Sequence, residues 1–323
     1  LRVIVIGAGV AGLTAANELQ RHSHQVVVFD KARRVGGRLS TVSVGEGSLA
    51  DAGAQFFTVR TDEFGGLVAQ WEARGVVHEW CRGFETDDGH PRYAALGGMK
   101  ELASHMATGL DVRCSHRVTG VDVGDPEVSV RWPEAHGHAG GRLAGDAMIV
   151  TTPVPQAMEL LGSVGSVPPF DYEPTFSLMV ALDQKVRISR SGGRQITSDP
   201  VLSFIGDNQA KGTSTRPCVT FHSSATFATD YFDAPPEDVE RLLLSAAGSY
   251  LDGATVIESK LHRWRYATPI DPYPDRFLDV TAGSGRVLLS GDAFGGPRVE
   301  GAFLSGLSAA RRLVDSRPGS VES

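Results

Sequence analysis

The chain begins with a short apolar run, Val3–Ile6, then Gly7–Gly12, then a stretch from Val10 to Arg21 with apolar residues at Leu13, Ala16 and Leu19. A brief apolar run bounded by a turn predicts a buried strand, and the three-residue spacing predicts a helix. Val26–Phe29 is a second apolar run, ending at Asp30. Strand, glycine turn, helix and strand within about thirty residues make a βαβ unit. Further along, the pattern predicts helices over Phe64–Arg74 and Lys100–Ala107. It predicts strands over Asp111–Cys114, Val118–Val123 and Val128–Trp132. Pro133–Gly141 reads as a hairpin loop, and Ala147–Thr152 as a strand stopped by Pro153 and Pro155.

The character changes near residue 165. Val164–Pro174 is proline-rich and reads as a linker. Phe176–Leu182, Val201–Ile205 and Cys218–His222 are separate strands, which suggests an antiparallel sheet. Pro235-Pro236 opens a helix running to about Tyr250, with Glu237 and Asp238 suiting its first turn. Val256–Trp264 returns as a strand. The first style then resumes, with a strand at Arg286–Ser290, a turn at Gly291-Asp292 and a helix over Val299–Val314. First-style segments bracket second-style segments, so two domains are expected, each discontinuous in sequence. Asp315–Ser323 reads as a polar, frayed terminus.

Composition narrows the function classes. The 323 residues are 41% hydrophobic and 21% charged, which is ordinary for a globular chain. A formal net charge of -7 with no long basic run argues against nucleic acid and anionic membranes as partners. The three cysteines, Cys81, Cys114 and Cys218, form neither a disulfide framework nor a C-x-x-C metal pair, so no metal is expected. No window carries 18 uninterrupted apolar residues, and residues 1–6 lack the basic start and long apolar core of a signal peptide. The expectation is a cytoplasmic protein. Glycine is in excess, at 38 residues.

The glycines gather at places where backbone approaches a ligand. Gly7-Ala8-Gly9-Val10-Ala11-Gly12 matches G-x-G-x-x-G. Gly7 permits the tight turn, Gly9 lets backbone approach a pyrophosphate, and Gly12 lets helix and strand pack closely. The helix N-terminus supplies N–H groups and positive potential for phosphates. Asp30 ends the second predicted strand, where a carboxylate accepts from ribose hydroxyls. Val35-Gly36-Gly37-Arg38-Leu39 follows closely, and Arg38 is a fork of donors for phosphate or a ring carbonyl. A nicotinamide dehydrogenase has no need of this second element, so that reading is the weaker one.

The run from Val3 to Arg38 resembles the flavin-binding start of the FAD-dependent amine oxidase superfamily. Asp51-Ala52-Gly53-Ala54-Gln55-Phe56-Phe57 is similar to the segment that family lays beside the isoalloxazine. Leu288–Ala293 resembles its second flavin motif, and Val299-Glu300-Gly301-Ala302 then opens the last helix. Within the superfamily the resemblance is nearest to the renalases. It is carried by Thr151–Pro155, by Ser198-Asp199-Pro200 with Asp207-Asn208, and by Arg263-Trp264-Arg265-Tyr266.

That resemblance implies an α/β fold: a Rossmann-type FAD-binding domain with a discontinuous α+β substrate domain, as in p-hydroxybenzoate hydroxylase and the amine oxidases. The FAD-binding domain takes residues 1–58, 95–163 and 264–323, and the substrate domain 59–94 and 164–263. It implies FAD contacts from Gly7, Gly9, Val10, Ala11 and Gly12, and from Asp30, Lys31, Gly37 and Arg38. Ala54, Gln55, Phe56 and Val118 follow, with Asp292, Val299, Glu300, Gly301 and Ala302 near the end. It also implies an oxidase acting on isomeric dihydropyridine forms of NAD(P)H. Hydride passes to FAD, and O2 is reduced to hydrogen peroxide. With no cysteine near Arg263–Pro274 or Gly291–Gly301, the FAD is expected to be non-covalent.

The residues add their own chemistry. Relatives that oxidise amines place an aromatic just before the Glu-Gly-Ala of the last helix; here Arg298 and Val299 stand there. A guanidinium repels an ammonium and favours a polar or anionic substrate. Trp264 and Tyr266 alternate with Arg263 and Arg265 on one predicted strand, so either pair faces the flavin side. His222 is the one histidine placed among the catalytic candidates, with Arg298, Trp264 and Tyr266. The competing readings are an amine oxidase, a related FAD-dependent desaturase, or a non-catalytic FAD-binding module.

Overall fold

A computed structural model describes residues 1–323 except 125–126, 163, 165, 282–284 and 316–323. The tail read above as frayed, beyond Asp315, lies outside the described residues, as does position 165 of the predicted linker. The chain divides into two compact units, one of residues 1–37, 103–171 and 269–323, the other of 38–102 and 172–268.

The first unit is built on a six-stranded sheet. Its order is Leu278–Asp279, Arg286–Leu289, Ala147–Val150, Arg2–Ile6, Gln25–Phe29 and Asp111–Arg113. All neighbours run parallel except the first pair. Val3, Ile4 and Val5 have no exposed surface, nor have Ala147, Met148 and Ile149. Strands buried on both faces must be continuously apolar, which is why the sequence shows runs rather than alternation here. Helix Val10–Arg21 follows the first strand, and helix Arg298–Asp315 crosses it closely. A Cβ at Gly306 would sit 2.1 Å from the Ala11 carbonyl oxygen, so only glycine allows that crossing. Gly120–Val123, Val128–Trp132 and Gly141–Gly145 form a separate antiparallel sheet, the last strand following the predicted hairpin loop.

The second unit carries a five-stranded sheet in the order Gly193–Gln195, Leu202–Asp207, Cys218–Ser223, Tyr172–Leu182 and Val256–Pro269. The pairings along its first four strands are antiparallel, as the sequence predicted. Period-two alternation splits its residues between two faces. Phe176, Leu178 and Val180, with Val219 and Phe221, bury one face against Val239, Leu243 and Ala247 of helix Pro236–Ala247. Met179, Ala181 and Cys218 pack on the other face against Ala50 of the small ribbon Thr41–Ser43/Leu49–Asp51 and against Ala52, which follows it. This second face also carries Ser177, Thr220 and His222.

Several expectations change. Residues 38–58, 95–102 and 264–268, assigned above to the first domain, belong to the second unit. Ala52 packs on that unit's sheet, Met99 N–H donates to Asp51, and Trp264 lies inside the strand Val256–Pro269. Residues 164–171 go the other way: Ile270 N–H donates to the Asp171 carbonyl within the first unit. Pro153 and Pro155 end a strand but also open a helix, Val154–Leu161. Proline is tolerated in a first helical turn because its missing N–H would be unpaired there anyway. The helix predicted from Phe64 starts at Asp62, capped by the Thr61 hydroxyl accepting from Phe64 N–H.

Candidate active site

In the first unit the glycine loop forms a cradle. Gly7 N–H donates to the Phe29 carbonyl, Gly36 N–H to the Ala8 carbonyl, and Thr151 Oγ to the carbonyls of Ile6 and Gly7. A Cβ on Gly12 would stand 1.9 Å from the Gly7 carbonyl oxygen, whereas one on Gly9 would meet nothing within 4 Å. Gly12 is therefore glycine for the fold, and Gly9 faces open space. Gly9 caps helix Val10–Arg21 with no side-chain hydrogen bond, and no acidic residue lies in the first turn. An uncapped N-terminus with its positive potential intact suits a pyrophosphate. Gly37, at φ +54°, brings its backbone up to Gly9.

Asp30 does more than the sequence suggests. Its Oδ2 accepts from Ala8 N–H and its Oδ1 from Ala32 N–H, each at 2.7 Å. Burial raises its pKa, while those two N–H donors work against the rise. Lys31 reaches Gln156 at 3.1 Å on the surface, and Val118 is buried. After strand Arg286–Leu289, Ser305 Oγ accepts from Gly291 N–H, fixing the turn that holds the buried Asp292. Val299 and Glu300 are buried at the start of helix Arg298–Asp315, with Gly301 and Ala302 partly so. Gly301 has the Gly296 carbonyl oxygen 1.9 Å from where a Cβ would be. Arg298 is exposed and sits at φ +85°, in the region that disfavours side chains.

In the second unit a buried polar cluster was not foreseen. Lys211 Nζ lies 2.8 Å from Asp51 Oδ2, and neither side chain has any exposed surface. Nζ also donates to Gln55 Oε1 at 2.8 Å. Asp51 accepts from Thr41 Oγ1 at 2.5 Å, Met99 N–H at 2.8 Å and Thr213 Oγ1 at 3.1 Å. The turn after Leu202–Asp207 aims Lys211 inward. Asp207 accepts from Gln209 and Ala210 N–H, while Asn208 bridges Thr220 Oγ1 and Asp51 N–H. Charge balance and full hydrogen bonding are what permit such a pair to be buried.

Gln55 carries this cluster to His222. Its Nε2 donates to the carbonyls of Asp51 and Gly53 and lies 3.4 Å from His222 Nε2. His222 is pushed down to about 4, first by loss of solvent and then by the Lys211 cation. Around it stands a ring cluster. Phe204 is 6.0 Å from His222, Phe56 is 5.9 Å from Phe204, and Phe84 is 5.4 Å from both Trp80 and Phe204. Lys211 Nζ stands 5.7 Å over Trp80, and the Arg92 guanidinium 4.6 Å over Phe84.

The strand Val256–Pro269 gives the two alternating pairs different partners. Trp264 Nε1 donates to the Ala52 carbonyl at 2.8 Å, and its ring meets His262 at 4.1 Å. Tyr266 packs edge-on against Tyr172. Arg263 donates to the carbonyls of Phe232 and Ala234, and Arg265 pairs with Asp233. Arg38 Nη1 donates to the carbonyls of Tyr266 and Ala267, so this arginine also secures the end of that strand. Ala54 N–H donates to the Arg38 carbonyl. Cys218 is pushed up to about 12, mainly by burial. Among the described residues no group of three metal-ligating side chains occurs, and no helix is long and apolar enough to cross a membrane.

Two family models match the chain. Residues 5–63 match the NAD(P)-binding Rossmann-like domain, and residues 63–314 match the flavin containing amine oxidoreductases. The chain belongs to the flavin-containing amine oxidoreductase family. Its cofactor is FAD. Curated relatives match over short stretches. A putative flavin-containing monoamine oxidase AofH of Mycobacterium tuberculosis is 54% identical over 54 residues, 17% of this chain and 12% of that protein. The flavin-dependent L-tryptophan oxidase RebO of Lentzea aerocolonigenes is 50% identical over 46 residues, 14% of this chain and 10% of that one. The matches to these two thus span about a tenth of each relative's length.

Likeness of fold extends much further. A putative protoporphyrinogen oxidase from Exiguobacterium sp. 255-15 superposes with a TM-score of 0.77 at 11% identity, over 98% of this chain and 99% of that one. A putrescine oxidase bound to putrescine gives 0.69 at 15% identity, over the same shares. The fold expected from the sequence is the fold observed.

Proposed function

We propose that this flavoprotein is a renalase-like oxidase. It converts isomeric dihydronicotinamide forms of NAD(P)H, with one proton and O2, into ordinary NAD(P)+ and hydrogen peroxide. FAD supplies two-electron redox chemistry. The cradle at Gly7–Gly12, with Asp30 and Gly37, holds its dinucleotide end. Asp292 and Val299–Ala302 are proposed as further contacts, along with Lys31, Arg38, Ala54–Phe56 and Val118. His222, Trp264, Tyr266 and Arg298 are the side chains assigned to the substrate.

The observation that carries the reading is the occupancy of the ring cluster. Lys211 and Arg92 already occupy the faces of Trp80 and Phe84, where an ammonium would otherwise bind. Lys211 is neutralised by Asp51 and Arg92 by Asp88, so the effect is one of occupancy. With those ring faces already filled, a protonated amine loses its cation–π seat there, whereas a neutral dihydropyridine does not depend on one. His222 is neutral near pH 7, which leaves it a hydrogen-bonding group rather than a third cation. Removing a hydride equivalent from a dihydropyridine needs no strong general base, in keeping with a neutral histidine.

Amine oxidation is the second reading, favoured by the family's name and by AofH and RebO. Anaerobic stopped-flow separates the two. The holoenzyme is mixed with dihydronicotinamide isomers, NADH, and primary and secondary amines, and flavin absorbance is followed. The isomers are expected to bleach the flavin fast, with peroxide formed on admitting air. Bleaching by amines and not by dihydropyridines overturns the proposal.

A further inference from the structure

Lys211 is buried too deeply to be a surface charge, and its partners form a directed chain. Its ammonium donates to Gln55 Oε1 at 2.8 Å. That fixes which end of the Gln55 amide is oxygen, because the Gln55 Nε2 end faces two carbonyl oxygens, Asp51 at 2.6 Å and Gly53 at 3.1 Å. The flipped amide would set its NH2 against an ammonium and its oxygen against two carbonyls. With the amide so fixed, the group facing His222 Nε2 at 3.4 Å is an NH2, which only donates. The NH2 has two hydrogens for three neighbours, so one is shared between a carbonyl and His222 Nε2. Because the amide nitrogen accepts nothing, a proton on Nε2 would oppose it, and the form that fits has Nε2 bare and the ring proton on Nδ1. Asp51 completes the chain by neutralising Lys211 at 2.8 Å.

We propose that Lys211 is a positioning residue that acts through Gln55 to hold His222 in its Nδ1-protonated form, presenting that N–H to an acceptor oxygen of the substrate. Among the described residues Nδ1 has no protein acceptor, so the proton is left for a ligand. A nicotinamide carboxamide oxygen is such an acceptor; this last identification rests on the dihydronicotinamide reading. The tautomer does not rest on it.

The test reads the two ring nitrogens of His222 in FAD-loaded, 15N-histidine-labelled protein by long-range 1H–15N NMR, with His222→Gln assigning the signals. Wild type is expected to show Nδ1 protonated and Nε2 bare. Lys211→Met with Asp51→Asn removes the ion pair without leaving one buried charge, and Gln55→Met removes the amide. Both are expected to lose the fixed tautomer and give a mixed or inverted pattern. Lys211→Arg, which keeps a donor, is expected to retain it. With dihydronicotinamide isomers, the double variant should raise KM about tenfold and change kcat less, since an orienting hydrogen bond is lost rather than the redox chemistry. A wild-type His222 protonated at Nε2, or a fixed Nδ1–H surviving in either variant, overturns the proposal. An enzyme that shows the expected tautomer but oxidises only amines overturns the substrate reading and supports the positioning role of Lys211.

Discussion

Lys211 Nζ and Asp51 Oδ2 meet at 2.8 Å with both side chains wholly withdrawn from solvent, joining the turn after one sheet strand to the end of a ribbon far away in sequence. Breaking a buried pair leaves one uncompensated charge, which costs more than the pair itself contributes. Lys211→Met should therefore destabilise the holoprotein by about 3–5 kcal/mol. Asp51→Asn combined with Lys211→Met should recover most of that loss. Urea denaturation at fixed FAD concentration checks both, because the linked ligand term is then constant. A double variant as unstable as the single one would show that the pair matters for its hydrogen-bond geometry rather than for its charge.

The glycine cradle separates fold from ligand. Gly12→Ala drives a Cβ onto the Gly7 carbonyl and should cost several kcal/mol of stability, about the scale of a badly overpacked site. Gly9→Ala meets no protein atom within 4 Å and should leave apoprotein stability nearly unchanged. Its effect should fall on FAD, with an affinity loss of about tenfold or more, equal to roughly 1.4 kcal/mol. Thermal melts of apoprotein and fluorescence of released flavin give the two readings independently. Unchanged FAD affinity in Gly9→Ala would place the pyrophosphate elsewhere.

The first unit's cradle was legible because it is local. Gly7 to Asp30 is one contiguous stretch whose strand, turn and helix signals agree, and the long helix over Val299–Val314 differs from the observed one by a residue at each end. The second unit's site was not legible. Lys211 lies in a polar, glycine-containing turn that reads as solvated surface, and nothing near it in sequence announces Asp51 or Gln55. The only clue was that Asp51-Ala52-Gly53-Ala54-Gln55-Phe56 stood out as a motif; its acid was assigned no role. Trp80, Phe84 and Arg92 were missed for a similar reason. Trp80 and Arg92 lie on the strands Val77–Cys81 and Arg92–Ala95, which are short and mostly half-buried, and Phe84 lies in the loop between them, so none of the three belongs to a clear period.

His222 makes stability depend on acid. Its pKa is about 4 in the folded protein and 6.5 ordinarily, so between those values the unfolded chain binds more protons. The contribution of His222 to stability is complete above about pH 6.5 and is lost as pH falls toward 4. His78 and His262, also lowered by burial, act in the same direction. His222→Gln should flatten part of this slope without abolishing it. The check is the difference between wild-type and variant unfolding free energies from pH 7 to pH 4.5. A difference independent of pH would mean that His222 is charged alike in both states.

Arg298 breaks two local preferences at once. At φ +85° it occupies a backbone region that costs a side-chain-bearing residue about 1–2 kcal/mol, and it places a cation in the first turn of helix Arg298–Asp315, the end that favours anions. Glycine would adopt the same φ freely, at some cost in unfolded-state entropy. Arg298→Gly should therefore raise stability by about 0.5–1 kcal/mol. Strain kept at a position that a commoner residue would relieve points to a task for the side chain. With the dihydronicotinamide isomers proposed as substrates, the phosphate-bearing ligand is anionic, and loss of the guanidinium should raise KM about tenfold, roughly 1.4 kcal/mol of binding, with kcat much less affected. Raising ionic strength should narrow that gap, because an exposed charge pair is screened. A variant that is more stable and equally active would leave Arg298 with no part in binding, whereas a variant that is more stable and KM-impaired ties the strain to substrate recognition.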